Sequence, residues 1–364
     1  MSLLTRRNLV VVFTAVFVPL LAATVLTQTP ALTWVKAAPF PEPDEELYGI
    51  AAGGKMYVLG GYGFQGVPRG IVYEYDATTD KWTKKKNMPT PVHHQAMVEY
   101  KGKIYLFGGF KAPTAPEAPG GWEPIDASWE YDPAADTWKA LPPLPIKRGS
   151  AIAFEVGGKF YVIGGAGPHP NSKETVLRGS GPARSLDLND VFDPASGKWE
   201  ARQPMPTSRN HAFGGVVNGK IYVIGGRLGH GFIGVATNTD IVEEYDPAID
   251  SWGGLKDRMP TPRSGGGWAT YGGKIYVVGG EVATPALAGA FRAVEAYDPA
   301  ANNWSTVPPM PMPRHGVATA FLGNKLHLVS GMITTAAAAA GQDPKMEVHT
   351  SSHDVLELSN GASK

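Results

Sequence analysis

The stretch Lys103-Ile104-Tyr105-Leu106-Phe107-Gly108-Gly109, followed by Tyr131-Asp132-Pro133 and then by Trp138, contains the unit from which the rest of the chain is read. A lysine followed by four β-branched, aromatic or apolar residues and a glycine doublet reads as a buried strand running into a turn that needs glycine's conformational freedom. The doublet recurs at Gly60, Gly164, Gly225 and Gly279, with Ser330-Gly331 in the sixth place, at steps of 48, 56, 61, 54 and 51 residues. An aromatic-Asp pair follows at Tyr75-Asp76, Tyr131-Asp132, Phe192-Asp193, Tyr245-Asp246 and Tyr297-Asp298. Six residues past each Asp stands a tryptophan: Trp82, Trp138, Trp199, Trp252 and Trp304. Self-similarity at this period marks an architecture of stacked or radially arranged units.

The pattern resembles the Kelch-repeat family of β-propellers over roughly residues 33 to 358. The resemblance implies an all-β, six-bladed ring of four-stranded antiparallel blades, strand A innermost and strand D outermost. The sixth repeat has candidates for strands A (around His315 to Leu322), B (Lys325 to Val329) and C (around Val355 to Leu358), but no tryptophan strand after them. Trp34 is followed six residues later by Phe40-Pro41, as Trp82 is by Met88-Pro89. Residues near Thr33 to Lys36 are therefore expected to supply strand D of the last blade, so that no sheet edge stays open.

Composition narrows the chemistry. With 33 basic and 33 acidic residues in 364 the net charge is zero, which gives no basic field for nucleic acid. With 45 Gly and 32 Pro, turn-rich globular β-structure is expected. No cysteine is present, which excludes disulfides, thiolate metal sites and a cysteine nucleophile. Residues 1–31 read as a signal peptide: Arg6-Arg7 precedes an apolar run from Leu9 to Leu26. Thr5-Arg6-Arg7-Asn8-Leu9-Val10 resembles the twin-arginine (Tat) export motif. Cleavage after Ala23 or Ala31 would leave the Trp34 strand intact, and residues 32–364 would form the propeller in the periplasm or outside the cell. An uncleaved membrane anchor is the alternative.

The A–B turns are uniformly short, whereas the B–C loops vary from 13 to 26 residues in the first five repeats, which nominates the B–C/D–A face for binding. Sixteen residues before each doublet, where strand A begins, stand Asp44, Val92, Arg148, Arg209, Arg263 and Arg314. The B–C loops add Arg69, Arg178, Arg184, Arg227 and Arg292, so nine of 13 arginines map to one side. Converging guanidinium forks suit carboxylate, sulfate or phosphate, so Arg148, Arg209, Arg263, Arg314 and Arg227, with His211, are candidate ligand-binding residues. The same arginines could instead bond loop carbonyls or pair with Asp44, Glu281 or Asp240. His93 and His315 share one slot of the repeat, and His94 and His211 the next. They belong to blades two, four and six, which are not neighbours, so no metal site and no cofactor are expected.

The reading is a monomeric, exported binding propeller for an acidic small molecule, glycan or protein segment, without nucleic-acid partners. Within the Kelch-like superfamily, the galactose-oxidase type needs a cysteine cross-link and is excluded. A sugar isomerase resembling sialic-acid mutarotase is the alternative, with Glu281 near Arg263 as its candidate carboxylate. A structural interaction scaffold is the third, signalled by an apolar patch from Phe64, Trp122 and Phe232.

Overall fold

A computed structural model describes residues 32–63, 66–114, 121–169, 171, 173–181, 183–254, 256–284, 286–335 and 348–358. The export segment with both cleavage positions, Phe64 and the alanine run from Ala336 to Ala340 lie outside the described residues. Among those residues there are strands and turns but no helix, and six antiparallel four-stranded sheets. In blade 3, for example, the strands are A (Ile152–Val156), B (Lys159–Ile163), C (Asn189–Asp193) and D (Lys198–Ala201). The expected six-bladed all-β propeller is the fold.

The last blade is completed by the front of the chain. Trp34–Lys36 pairs antiparallel with His353–Glu357, Trp34 opposite Leu356 and Lys36 opposite Asp354. The Trp34 indole donates to the Pro308 carbonyl at 3.1 Å. Every repeat tryptophan makes the equivalent bond to the loop leaving the preceding blade: Trp82 to Ala38, Trp138 to Lys86, Trp199 to Pro142, Trp252 to Gln203 and Trp304 to Asp257. The invariant spacing thus encodes a blade-to-blade tie, in which the indole body packs and its N–H finds a carbonyl.

The glycine doublets make a second tie. The amide of the second glycine donates to the carbonyl at the strand A entry of the next blade: Gly109 to Arg148, Gly165 to Arg209, Gly226 to Arg263, Gly280 to Arg314 and Gly331 to Asp44, at 2.9–3.1 Å. A Cβ on Gly108 would lie 2.3 Å from the Arg148 carbonyl oxygen, and Gly108 itself has φ +60, so a side chain is barred twice over. The B–C connections carry a feature the spacing did not reveal: two-stranded ribbons in blades 2 to 5, such as Ala166–Pro168 with Ala183–Ser185.

The closing seam holds two buried histidines. His327 Nδ1 lies 2.9 Å from His353 Nε2, and His353 Nδ1 donates to the Ala38 carbonyl at 3.1 Å. Burial, reinforced for His327 by its partner, holds them neutral, at about 3 for His327 and about 4 for His353. Between these values and the ordinary histidine value near 6.5, the unfolded chain binds protons that the native chain refuses, so stability falls as pH drops through that window. Urea unfolding is expected to show a loss on the order of 5 kcal/mol between pH 6.5 and 4 from the two histidines of this seam together. His353→Phe should remove about half of that loss, the rest staying with His327, whereas equal slopes for variant and wild type would refute the assignment.

Candidate functional site

Strand A of each blade begins at the axis, and the residue two places after the strand A entry position lies in the left-handed region in all six blades. These are Glu46, His94, Ser150, His211, Gly265 and Gly316, with φ between 50 and 65. In four of the blades the turned backbone aims the amide of that residue at a neighbouring blade, and in blade 1 the amide of the next residue. Ser150 donates to the His94 carbonyl at 2.8 Å, His211 to Ser150 at 3.1 Å, Gly265 to His211 at 3.2 Å and Gly316 to Gly265 at 2.7 Å, while Leu47 donates to Gly316 at 3.2 Å. At the remaining step, His94 Nε2 and Glu46 Oε2 approach to 3.1 Å. The result is a ring of polar groups around the axis that divides the channel in two.

The entry position itself does not furnish the expected anion cradle. Arg148, Arg209, Arg263 and Arg314 are fully buried, each in its own blade, and each meets a carboxylate of its own strand C. Arg148 pairs with Asp190 at 2.8 Å, Arg263 with Glu295 at 2.5 Å, Arg314 with Asp354 at 2.6 Å, and Arg209 with Glu243. Each also donates to backbone carbonyls, such as Arg148 to Val162 and Arg263 to Val277. A buried guanidinium needs such a partner, so the arginines are structural ion pairs and present no open fork. Blade 2 confirms the logic: Val92 replaces the arginine, Trp129 replaces the acid, and the two share one apolar cluster. The acid stands three residues before the aromatic-Asp aspartate in blades 3 to 5, a covariation visible in the sequence.

Three of the candidates do meet. Arg227 is 1% exposed and ion-pairs with Glu281, which is 0% exposed; Glu281 therefore belongs with Arg227 and not with Arg263. Arg227 also reaches His211 Nε2 at 3.2 Å and donates to Ser264 Oγ at 3.0 Å. Thr335 donates to the other Glu281 oxygen at 2.6 Å. His315 Nε2 lies 2.8 Å from Glu45 Oε2 and 3.9 Å from Glu281 Oε2. The His94 and His211 rings are 4.5 Å apart although they come from blades 2 and 4. Separation around the ring was the wrong measure, because all strand A entries converge on one axis. Glu45 and Glu46 occupy in blade 1 the slots of His93 and His94 in blade 2, the signal that places them here.

Burial governs the electrostatics of this cluster. It holds His94 and His211 well below the ordinary histidine range, Arg227 adding to the effect, so both stay neutral. It raises Glu45, and it raises Glu46 to about 7. Burial alone would lower His315, but Glu281, Glu45 and Glu46 outweigh it and raise that imidazole to about 10. An aromatic lid from the B–C loops covers the histidines. Trp122 stacks on Phe232 at 4.1 Å, packs on His94 at 4.9 Å and donates to the Tyr62 hydroxyl at 2.8 Å. Trp122 is thus buried in this lid, not displayed as a surface patch.

On the other side of the ring lies a cavity of about 470 Å³, walled by strand A of all six blades and placed toward the A–B turns. Tyr48 and Gln95 stand next to the ring, Trp268, Phe154 and Met97 supply apolar walls, and Glu99 and Glu155 are its only charged lining residues among the described residues. Glu99 and Glu155 also accept from the amides of Gly102 and Gly158 in their A–B turns, which fixes them near that end. Between ring and cavity a space of about 10 Å³ touches Glu46, Ser150, His211, Gly265 and Gly316, room for roughly one water.

The sequence profile of the Attractin/LZTR1 beta-propeller family matches residues 56–332. Similar curated proteins include Kelch-like protein terF of Aspergillus terreus, 29% identical over 81% of this chain and 62% of its own length. Kelch-like protein 23 of Homo sapiens is 27% identical over 76% of this chain and 43% of its own. Beta-scruin of Limulus polyphemus is 29% identical over 67% of this chain and 26% of its own. The chain therefore spans from about a quarter to about three-fifths of the length of these relatives.

The buried pairs give a stability prediction. Arg148→Met leaves the Asp190 carboxylate buried without its cation, and the expected loss is about 3–5 kcal/mol in chemical denaturation. Adding Asp190→Leu should recover most of it. A single substitution costing under about 1 kcal/mol would return Arg148 to the pool of ligand-binding candidates.

Proposed function

The chain belongs to the Attractin/LZTR1 beta-propeller family of Kelch-repeat folds, and from that membership we propose that it is a non-catalytic interaction scaffold that takes a side chain of a protein segment into the axial cavity. The observation that carries this reading is the cavity at the A–B end of the axis, walled by six strands and free of buried ion pairs. Its volume falls within the range of ordinary ligand sites. An apolar lining with Glu99 and Glu155 as its charged groups suits an aromatic or long aliphatic residue flanked by Lys or Arg. The Kelch-like relatives support an interaction role in general terms.

The acidic partner expected from the arginine count loses its support once Arg148, Arg209, Arg263 and Arg314 are neutralised within their own blades. The mutarotase alternative would need a substrate at Glu281, which lies fully buried beneath the B–C loops. The leader-like N-terminus directs the search for the partner to the periplasmic or extracellular fraction.

A peptide-display library panned on the purified protein tests the reading. Enriched sequences should carry one aromatic or aliphatic residue beside basic ones. Met97→Trp and Thr270→Trp, which narrow the cavity from residues in its lining, should each weaken the best peptide by about tenfold or more with an unchanged melting temperature. Binding that survives both substitutions would move the site off the axis.

A further inference from the structure

In the ring cluster carboxyl groups outnumber cationic side chains. Glu45, Glu46 and Glu281 face one guanidinium, Arg227, and one imidazole, His315, and all five residues are at most 7% exposed. Glu45, Glu46 and His315 each present one ligating atom, and these atoms lie within 4.8 Å of one another. Two further details distinguish this group from an ordinary ion pair.

First, His315 Nε2 and Glu45 Oε2, 2.8 Å apart, have no hydrogen-bond partner among the described residues beyond each other. His94 Nε2, 3.1 Å from Glu46 Oε2, likewise has no other hydrogen-bond partner among the described residues. Second, His315 Nδ1 is 2.7 Å from the Thr334 carbonyl, which can only accept, so Nδ1 carries a proton there. That bond fixes the ring and turns Nε2 toward the carboxylates, the arrangement by which a carbonyl orients a metal-binding histidine. Two atoms bound to one tetrahedral zinc at about 2.1 Å are themselves about 3.4 Å apart, so Glu45 Oε2 and His315 Nε2, 2.8 Å apart here, open by roughly 0.6 Å to share an ion.

We propose that Glu45, Glu46 and His315 form a binding site for one divalent first-row transition ion, with His94 and Glu281 as the next groups outward. Mixed imidazole and carboxylate donors suit Zn²⁺ or Mn²⁺ better than Mg²⁺, which prefers an all-oxygen octahedron with several waters. The ion takes the place of the Nε2 proton of His315, which is released on binding, and ties blade 6, through His315, to blade 1, through Glu45 and Glu46. Because the site is sealed, the ion enters as the chain folds. This inference is independent of the axial cavity, which lies on the other side of the ring.

The test uses the full chain without a polyhistidine tag, unfolded in chaotrope with EDTA and refolded with Zn²⁺, Mn²⁺, Mg²⁺ or chelator. Elemental analysis after dialysis should find one equivalent of Zn²⁺ or Mn²⁺ and none of Mg²⁺. The melting temperature should rise by about 5 °C at a free-ion concentration near a hundred times the dissociation constant. Glu45→Gln and His315→Gln should lower the stoichiometry at least tenfold, and exposed His169→Gln should leave it unchanged. No bound ion in the wild type, or an ion retained by both cluster variants, would overturn the proposal. Should those variants not fold, X-ray absorption of the zinc-loaded wild type decides: a shell of one imidazole with oxygen donors upholds the site, and two or more imidazoles, or none, overturns it.

Discussion

Six residues in the left-handed backbone conformation, one at the head of each inner strand, set the organisation of this protein. A non-glycine residue in that region costs about 1–2 kcal/mol, and four of the six, Glu46, His94, Ser150 and His211, are not glycine. The alternative is worse: a buried amide without an acceptor costs about 1–3 kcal/mol on its own. At Ser150, His211, Gly265 and Gly316 the turned backbone gives the amide its acceptor on a neighbouring blade, and after Glu46 it does so for Leu47. The same turn brings Glu46, His94 and His211 to the axis, so the polarity of the centre follows from the way the ring closes.

Outward from the axis the blades are fastened by repeated, equivalent contacts. The second glycine of the doublet donates to the next blade, and the tryptophan at the outer edge donates to the loop of the blade before. Inside blades 3 to 6 the buried arginine joins strand A's entry to strand C. Each contact is modest, but in a closed ring loosening any one blade exposes two seams. The N-terminal strand pairing at Trp34–Lys36 is what makes the ring closed.

Most of this fold was legible in the sequence because its ties are made by residue types with few other uses. A doublet of glycines, a tryptophan at a fixed offset and a displaced Trp34 have clear physical readings even without coordinates. The site was less legible. Arg148 and its equivalents looked like a ligand cradle because guanidinium groups serve both roles, and the deciding partners, Asp190, Glu243 and Glu295, lie 32 to 42 residues downstream on strand C. The Val92 and Trp129 exchange in blade 2 held the answer. The histidines were separated by counting blades around the circumference, whereas at the axis that distance vanishes and His94 touches His211. Glu45 and Glu46 went unremarked because they share a slot with histidines rather than with other acids.

Native-state hydrogen exchange at the amides of Ser150, His211, Gly265 and Gly316 tests the central claim most directly. If the axial ring is the element that every blade depends on, these amides exchange only through global unfolding, with protection equal to the most stable strand B amides. Exchange at rates typical of the A–B turns, while strand B stays protected, would show that the blades hold together without the ring.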